Sequence, residues 1–505
     1  MHRLVVALTT VLGLTAATVV VIYLLLSGVA PDQAARLAPA DAAVYVNIYL
    51  QPSSGQAGKL AALASRLPGF ADASALDTKI GQVAENLLSQ AGIDYRADVE
   101  PWLGSQLALA FEASDLNASE PMAVLFAAVK DRPAAEAALA RLLPEGRVAD
   151  YEGVPIRVGA DATLAVLDDI FVAAPTRERV EAVIDVERGA PALANDAGFR
   201  RAMDRLPPDH VATVYVDIAR LTGAAAATGE AGLAAAGALI VEETGLRLVG
   251  GIPFGDGGAS PLPPNAERAS LAEWMPPDTE AEVVLVGVRA ALEAAEAGRL
   301  PGGEALAELL ATVRAVAAFG LGIDVERDLL PLLDGEVGVA VSGLGEAEPA
   351  VLLLMKPSDT GGTSTLMAAL AERLADAGGR IETRRAGGAE ITIVDAPELG
   401  TVAFAIVDGV VVAGLAPDTV AAALEAREGA RGLAASPGYD DAFALAGEHA
   451  GNEAWVDVAG LIAATGIADT LAADARDILQ QIGALAVAAP SRTDAIEIRA
   501  ALTVE

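Results

Sequence analysis

The chain has 505 residues, 34 of them basic and 69 acidic, which gives a formal net charge of −35 at pH 7. A surface this negative repels phosphate backbones, so the composition disfavours nucleic acid as a partner. The sequence contains no cysteine, which excludes disulfides, zinc–thiolate sites, iron–sulfur clusters and thiol nucleophiles.

The first predicted element is a membrane anchor. Residues 4–26 form an uncharged apolar run, and about 20 such residues suffice for a helix to cross a bilayer. Arg3 precedes the run and the acidic bulk follows it, so residues 1–3 are predicted to be a cytoplasmic tip and the rest extracytoplasmic. A cleaved signal peptide is the alternative, although Pro31 follows the small residues Gly28 and Ala30 directly. We therefore expect a single-pass protein of a bacterial cell membrane.

Downstream of the anchor, one motif occurs twice. Its first copy comprises Gly92-Ile93-Asp94, Asp98, Pro101 and Leu103, and 230 positions later stand Gly322-Ile323-Asp324, Asp328, Pro331 and Leu333. Further pairs follow in the same order, such as Tyr215-Val216-Asp217 and Trp455-Val456-Asp457. A collinear series of matches predicts a duplicated unit.

The repeat sets the predicted domain boundaries. A juxtamembrane linker covers residues 27–36, the first domain residues 37–254 and the second residues 275–505. Residues 255–274 are rich in Gly, Pro, Ser and Asn and are predicted to be the linker between them.

Each copy contains segments of both regular structures. Residues 44–50 alternate in the manner of a strand, and residues 177–186 and 418–425 carry apolar side chains three or four apart, as in helices. Short Gly/Asp turns separate the strand segments at 156–158, 163–166 and 170–173, which indicates hairpins. The predicted fold class is α+β: two tandem homologous domains, each a largely antiparallel sheet covered by helices.

Few side chains suggest a site. His210 and His449 each follow an acidic residue, Asp209 and Glu448, and such a pair could act as a base or a metal ligand. Exposed loop histidines are the more ordinary interpretation. Trp102 is the third weak binding candidate, but the second copy carries Leu332 there, which favours packing. We expect no catalytic residue, no cofactor and no metal site.

The motifs resemble an uncharacterised bacterial family, domain of unknown function 3352. Its members typically show an N-terminal transmembrane segment, a Pro-Ala-Asp strand entry and an Asp-Val-x-Pro-Trp-Leu-Gly motif. Here these are Pro39-Ala40-Asp41 with Tyr45-Val46, and Asp98-Val99 with Pro101-Trp102-Leu103-Gly104. The resemblance implies an envelope location and this domain plan, and it brings no activity.

Three functions remain open from the sequence. The favoured one is a non-catalytic binding or scaffold protein of the envelope, whose partner is an unknown envelope protein or ligand. The alternatives are a carrier of an apolar ligand or lipid, suggested by the aliphatic composition, and a hydrolase that uses paired carboxylates. A close carboxylate pair in a cleft would support the hydrolase.

Overall fold

The computed structural model describes residues 32–51, 53–68, 85, 88–89, 92–115, 122–222, 233–254, 260, 262–265, 267–300, 303, 307–308, 310–312, 314, 324–346, 348–376, 379–396, 400–429, 431–447, 449–466 and 473–505. The predicted tip and anchor, residues 1–26, and Gly322-Ile323 lie outside these ranges. Across the described ranges, no helix combines the length and apolarity needed to span a bilayer. The chain divides into two compact units, residues 1–255 and 256–505.

The described part of the first unit contains ten strands. They are β1 (Val44–Tyr49), β2 (Leu103–Phe111), β3 (Val124–Val129), β4 (Arg147–Tyr151), β5 (Val154–Val158), β6 (Thr163–Leu167), β7 (Ile170–Ala174), β8 (Ala212–Asp217), β9 (Ala234–Glu242) and β10 (Gly245–Pro253). All their pairings are antiparallel, in the order β10-β9-β8-β1-β2-β3-β7-β6-β5-β4. The hairpins predicted around residues 156–173 correspond to β5, β6 and β7.

Helices accompany this sheet. They are α1 (Ser54–Arg66), α2 (Arg132–Leu142), α3 (Arg177–Glu187), α4 (Ala197–Met203) and α5 (Ile218–Thr222). Several begin at a side-chain cap: the Asp131 carboxylate accepts a hydrogen bond from Ala134 N, and the Asp196 carboxylate accepts one from Phe199 N. Such caps satisfy backbone donors that the first helical turn leaves unpaired.

The described part of the second unit also contains ten strands. They are β11 (Ala281–Val286), β12 (Glu336–Ser342), β13 (Ala350–Lys356), β14 (Arg380–Ala386), β15 (Ala389–Ala396), β16 (Gly400–Val407), β17 (Val410–Gly414), β18 (Asn452–Asp457), β19 (Ile482–Ala489) and β20 (Ala495–Val504). Their antiparallel order is β20-β19-β18-β11-β12-β13-β17-β16-β15-β14. This is the strand order of the first unit, position for position.

Helices in the described part of the second unit include α6 (Val288–Glu296), α7 (Thr360–Asp376), α8 (Pro417–Glu428), α9 (Pro437–Ala446), α10 (Val458–Thr465) and α11 (Ala473–Leu479). The prediction that antiparallel strands combine with helices is therefore confirmed.

Parts of both predicted linkers pack into the cores. Residues 34–36 and 271–273 each form a short 3-10 turn. Ala34 and Ala35 are 1% and 2% exposed in the first core, and Leu271 is 0% exposed in the second. Small or apolar side chains on a tight turn allow the backbone to approach the sheet closely, and burial of that surface favours folding.

The repeated aspartates form the same local structure twice. Asp94 and Asp324 each cap a single π-helical turn, Tyr95–Val99 and Val325–Leu329. The Asp98 carboxylate pairs with Arg141 at 2.9 Å, and the Asp328 carboxylate pairs with Arg373 at 2.6 Å. In both units the motif from which the repeat was predicted thus connects a turn to an arginine of a helix, α2 or α7.

Candidate functional site

A buried group of polar side chains lies in the core of the second unit. It consists of Glu282 on β11, Glu453 on β18, Tyr439 on α9 and His449 just before β18, and we call it the carboxylate cluster. Glu282 and Glu453 are each 2% exposed. Carboxylates are rarely this enclosed without compensation, because transfer of their charge out of water is costly.

Strand register brings the two carboxylates together. Glu282 lies opposite Trp455, and Glu453 lies opposite Val284. Side chains two positions apart on a strand share one face, so Glu282 and Glu453 are diagonal neighbours on the core side of adjacent strands.

Helix α9 supplies the tyrosine. Its buried residues are Tyr439, Ala442, Phe443 and Ala446, at the spacing of one helix face. The Phe443 ring stacks on the His449 imidazole, with ring centroids 4.0 Å apart. Packing therefore holds both the phenol and the imidazole against the two strands.

Hydrogen bonds link all four groups. The Tyr439 hydroxyl lies 3.5 Å from Glu282 Oε1 and 3.4 Å from Glu453 Oε2. His449 Nε2 lies 2.9 Å from the same Glu453 oxygen. No described residue offers a hydrogen-bond partner to Glu282 Oε2, which is fully buried. One oxygen of the pair is therefore left without compensation in the charged state.

Burial sets the protonation of this pair. Loss of solvation and, to a smaller extent, the neighbouring Glu453 charge together raise the pKa of Glu282 to about 8, against an opposing effect of the Tyr439 hydrogen bond. Burial and the two carboxylates also raise the pKa of Tyr439 well above its usual range. At neutral pH the cluster accordingly holds a proton on the Glu282 carboxyl.

The same register positions in the first unit carry no carboxylates. Tyr45 on β1 lies opposite Tyr215 on β8, and Asn47 lies opposite Thr213. The Phe199 ring on α4 makes edge contacts with Tyr45 and Tyr215, at centroid distances of 5.9 and 5.0 Å. An aromatic cluster thus fills the place that the carboxylate cluster occupies in the second unit.

Trp102, the third candidate from the sequence, lies in a hydrophobic core. It is 3% exposed, its ring stacks on Phe171 at 4.5 Å, and its Nε1 donates a hydrogen bond to Asp98 O at 2.5 Å. Leu332, at the repeated position, is also 3% exposed. Both side chains are placed where they pack against their own unit.

The acid–histidine pair considered for His210 from the sequence is not formed. His210 Nδ1 lies 2.6 Å from Pro207 O, and its ring packs on Tyr49 at a centroid distance of 5.3 Å. The Asp209 carboxylate instead accepts a hydrogen bond from Ser53 Oγ at 2.6 Å. Asp209 thus supports the start of α1.

His449 does have an acidic partner, but the partner is Glu453, and Glu448 lies outside the described residues. Glu282, Glu453 and Tyr439 were not predicted from the sequence. A signal existed for Glu282, which directly precedes the apolar stretch Val283–Val286 and by alternation shares a strand face with Val284.

The carboxylate cluster is too enclosed to contact a substrate directly. Within the described ranges, no three or more His, Asp or Glu side chains are grouped to hold a metal ion. A catalytic acid or base has to reach the substrate by a hydrogen bond or through one water. With both carboxylates 2% exposed, the pair does not form an open cleft.

A second feature lies on the opposite face of the same sheet. Five apolar side chains there are exposed: Val283 (42%), Leu285 (41%), Val339 (38%), Val351 (38%) and Leu485 (36%). We call this group the outer patch. Val283 lies opposite Val339, and the rows beside them continue with Val337, Val341, Val456 and Val487.

The corresponding face of the first unit is more covered, and Val46, the counterpart of Val283, is partly buried. Leu109, which lies opposite Val46 as Val339 lies opposite Val283, is only 5% exposed, and Ile48 is 6% exposed. The two units therefore differ in both faces of their central strands: one carries carboxylates in its core, and the same one leaves apolar side chains open to solvent.

Comparisons with known proteins give a family and two distant structural similarities. No curated protein matches the chain. Crystal form IV of TP0453 is 8% identical, with 43% of this chain and 79% of that chain covered and a TM-score of 0.25. Crystal form I of TP0453 is 7% identical, with 78% and 96% covered and a TM-score of 0.18. The model of a protein family of unknown function, DUF3352, matches residues 4–497, which confirms the resemblance seen in the motifs: the chain belongs to the DUF3352 family.

Proposed function

We propose that the chain is a membrane-anchored, extracytoplasmic protein of the bacterial envelope that binds another protein through the outer patch of its second unit. The observation that carries this proposal is the exposure of Val283, Leu285 and Val339, each above 35%. Contiguous apolar side chains on an open sheet face favour association, because burial against a partner removes them from water.

The shape of the patch favours a protein over a lipid. Every outward-facing position of β11 and β12 is apolar, namely Ala281, Val283, Leu285, Val337, Val339 and Val341. β-Branched side chains on a sheet present a flat, firm surface, onto which a helix or a second sheet packs at about 10 Å. A chain with net charge −35 favours a partner whose contact rim is neutral or basic.

A duplicated origin of the two units is also part of this proposal. Both units share one strand order, and both fasten an Asp-capped turn to a helix arginine. We infer that the two units derive from one ancestral domain and that the second has specialised its central strands. The enclosed carboxylate pair supports a non-catalytic role for the second unit.

Site-specific photo-crosslinking in the native envelope tests the binding function. A photoreactive residue placed at Leu285 or Val339 should capture the same protein, and a third one at the control position Val148 should not. Val148 is 64% exposed on β4 of the first unit. Val283→Asp should abolish both adducts, since a buried charge in the interface is costly.

Two outcomes would overturn this assignment. Adducts with lipid alone would move the function to an apolar-ligand carrier, and equal protein capture from Val148 would remove the role of the outer patch. The membrane topology has its own test: protease added to spheroplasts should digest the chain from residue 32 onward, and full protection would contradict an extracytoplasmic location.

A further inference from the structure

The carboxylate cluster has a property that binding through the outer patch does not require. Glu282 and Glu453 are both 2% exposed, and they approach one hydroxyl, that of Tyr439, from two strands at 3.5 and 3.4 Å. One hydroxyl has a single proton to donate. It therefore cannot compensate two carboxylates at once, and Glu282 Oε2 has no partner among the described residues.

The surroundings offer little positive charge. Helix α9 contributes Tyr439 and, further out, Asp440, whose carboxylate lies 3.4 Å from the exposed Arg268. The segment before β11 contributes Ala269 N, 3.4 Å from Glu453 Oε1, and the segment before β18 contributes His449.

The neighbouring strands add no compensating cation at the cluster. β12 places Ala340 opposite Glu282, and β19 places Ala488 opposite Glu453. On β20, the Arg499 guanidinium is paired with Glu497 at 3.0 Å, and Glu336 on β12 accepts from Lys356 at 3.2 Å and from Ser270.

We propose that Glu282 and Glu453 together bind one proton in the folded second unit, and that release of this proton as pH rises weakens the pairing of β11 with β18. The site takes a proton as its ligand, and the chain becomes a sensor of external pH. Two like charges this close in a poorly solvated core cannot both remain ionised at low cost.

The sign of the effect follows from linkage. The pKa of Glu282 is about 8 in the folded unit, against 4.5 ordinarily, so the folded form binds the proton more tightly than the unfolded form. The contribution of this proton to stability is therefore fully present below about pH 4.5, falls as pH rises between the two values, and levels off above pH 8.

The first unit provides a comparison within the same chain. One of its enclosed carboxyls, Asp32, accepts three hydrogen bonds at Oδ1, from the Tyr45 hydroxyl at 2.7 Å, from Gln106 Nε2 at 2.7 Å and from Ala35 N at 3.0 Å. Its Oδ2 has no partner among the described residues. These donors oppose the rise in the pKa of Asp32 that burial causes. Three hydrogen-bond donors stabilise the charged form of this one carboxyl, so it depends less on a bound proton than the Glu282–Glu453 pair does.

Hydrogen exchange of the full-length chain, followed by mass spectrometry from pH 6 to pH 9, tests this inference. After correction for intrinsic exchange, peptides that cover β11 and β18 should lose protection about tenfold per pH unit between pH 6 and 8. Peptides that cover β1 and β8 should change less. In Glu282→Gln, an isosteric change that cannot ionise, the dependence in β11 and β18 should disappear.

Three further variants complete the test. Glu382→Gln, an exposed glutamate on β14 of the same unit, should keep the wild-type dependence. Glu453→Gln should move the midpoint to lower pH, because it removes the neighbouring charge. His449→Gln should also keep the dependence; its loss in that variant would assign the proton to the imidazole and overturn the proposal. An unchanged slope in Glu282→Gln would overturn it as well.

Discussion

Trp102→Leu tests whether this tryptophan acts by packing. The substitution places in the first unit the residue type that the second unit carries as Leu332. Leucine is smaller than tryptophan by about 60 Å³, which at ~24 cal/mol per Å³ of cavity amounts to roughly 1.5 kcal/mol. Loss of the stacked contact with Phe171, 4.5 Å between centroids, adds about 1 kcal/mol.

Loss of the indole hydrogen bond accounts for the rest of the expected destabilisation. Trp102 Nε1 donates to Asp98 O at 2.5 Å, and the loss of one such bond costs about 1 kcal/mol. We therefore expect Trp102→Leu to lower the free energy of unfolding of the first unit by roughly 3–4 kcal/mol. Trp102→Phe, which keeps a ring for the stack but has no N–H, should lose about half as much.

Native-state hydrogen exchange measures this loss without the tryptophan signal that the variant removes. Amides of β3 and β7, which pair with each other, should lose protection, while those of β13 and β17 in the second unit should keep theirs. Full protection of β3 and β7 in Trp102→Leu would refute the packing argument and return Trp102 to the recognition role considered from the sequence.

Four other substitutions have clear expected outcomes. Asp328→Asn should destabilise the second unit at pH 7, because Arg327 and Arg373 hold the pKa of this carboxyl well below its usual range. The wild-type unit should lose the same stability as pH falls below about 4. Thermal scans from pH 2 to 7 in which the wild type and the variant melt at the same temperature throughout would contradict this. Gly335→Ala places a Cβ 2.0 Å from Lys356 O and should cost about 1–3 kcal/mol, whereas Gly58→Ala in α1, with open space around its Cβ, should stabilise by about 0.5–1 kcal/mol in denaturant titrations. Tyr439→Phe removes the hydroxyl that both carboxylates approach and should lower the melting temperature more at pH 9 than at pH 6. An equal loss at both pH values would count against the shared-proton arrangement.

The local parts of the fold were predictable from the sequence. Hairpins are joined by short turns, so alternation and Gly/Asp turns around residues 156–173 indicated β5, β6 and β7 directly. The pairing of β1 with β8 was not predictable, because these strands are adjacent only through a long connection. An alternating pattern predicts which side chains of a strand share a face, but it does not predict which other strand lies beside that strand.

The candidate site was hidden for a related reason. Glu282 and Glu453 are distant in sequence, and a single glutamate in a strand is most simply interpreted as a surface residue. Their proximity follows only from the register that sets Glu282 opposite Trp455. His449 was singled out, but with Glu448 as its partner, since neighbours in sequence were the only partners that the sequence offered.

The position of β1 in the sheet also shapes how the chain acquires its structure. β1 is among the first segments of its unit to be made, yet it lies between β2 and β8, and β8 begins only at Ala212. Until then one edge of β1 has no strand to complete it, and an open edge invites wrong pairing. The second unit repeats this delay, because β11 has to wait for β18. Long-range pairing of this kind slows folding, so each half of the chain has a period of exposure in which a chaperone would have the most effect.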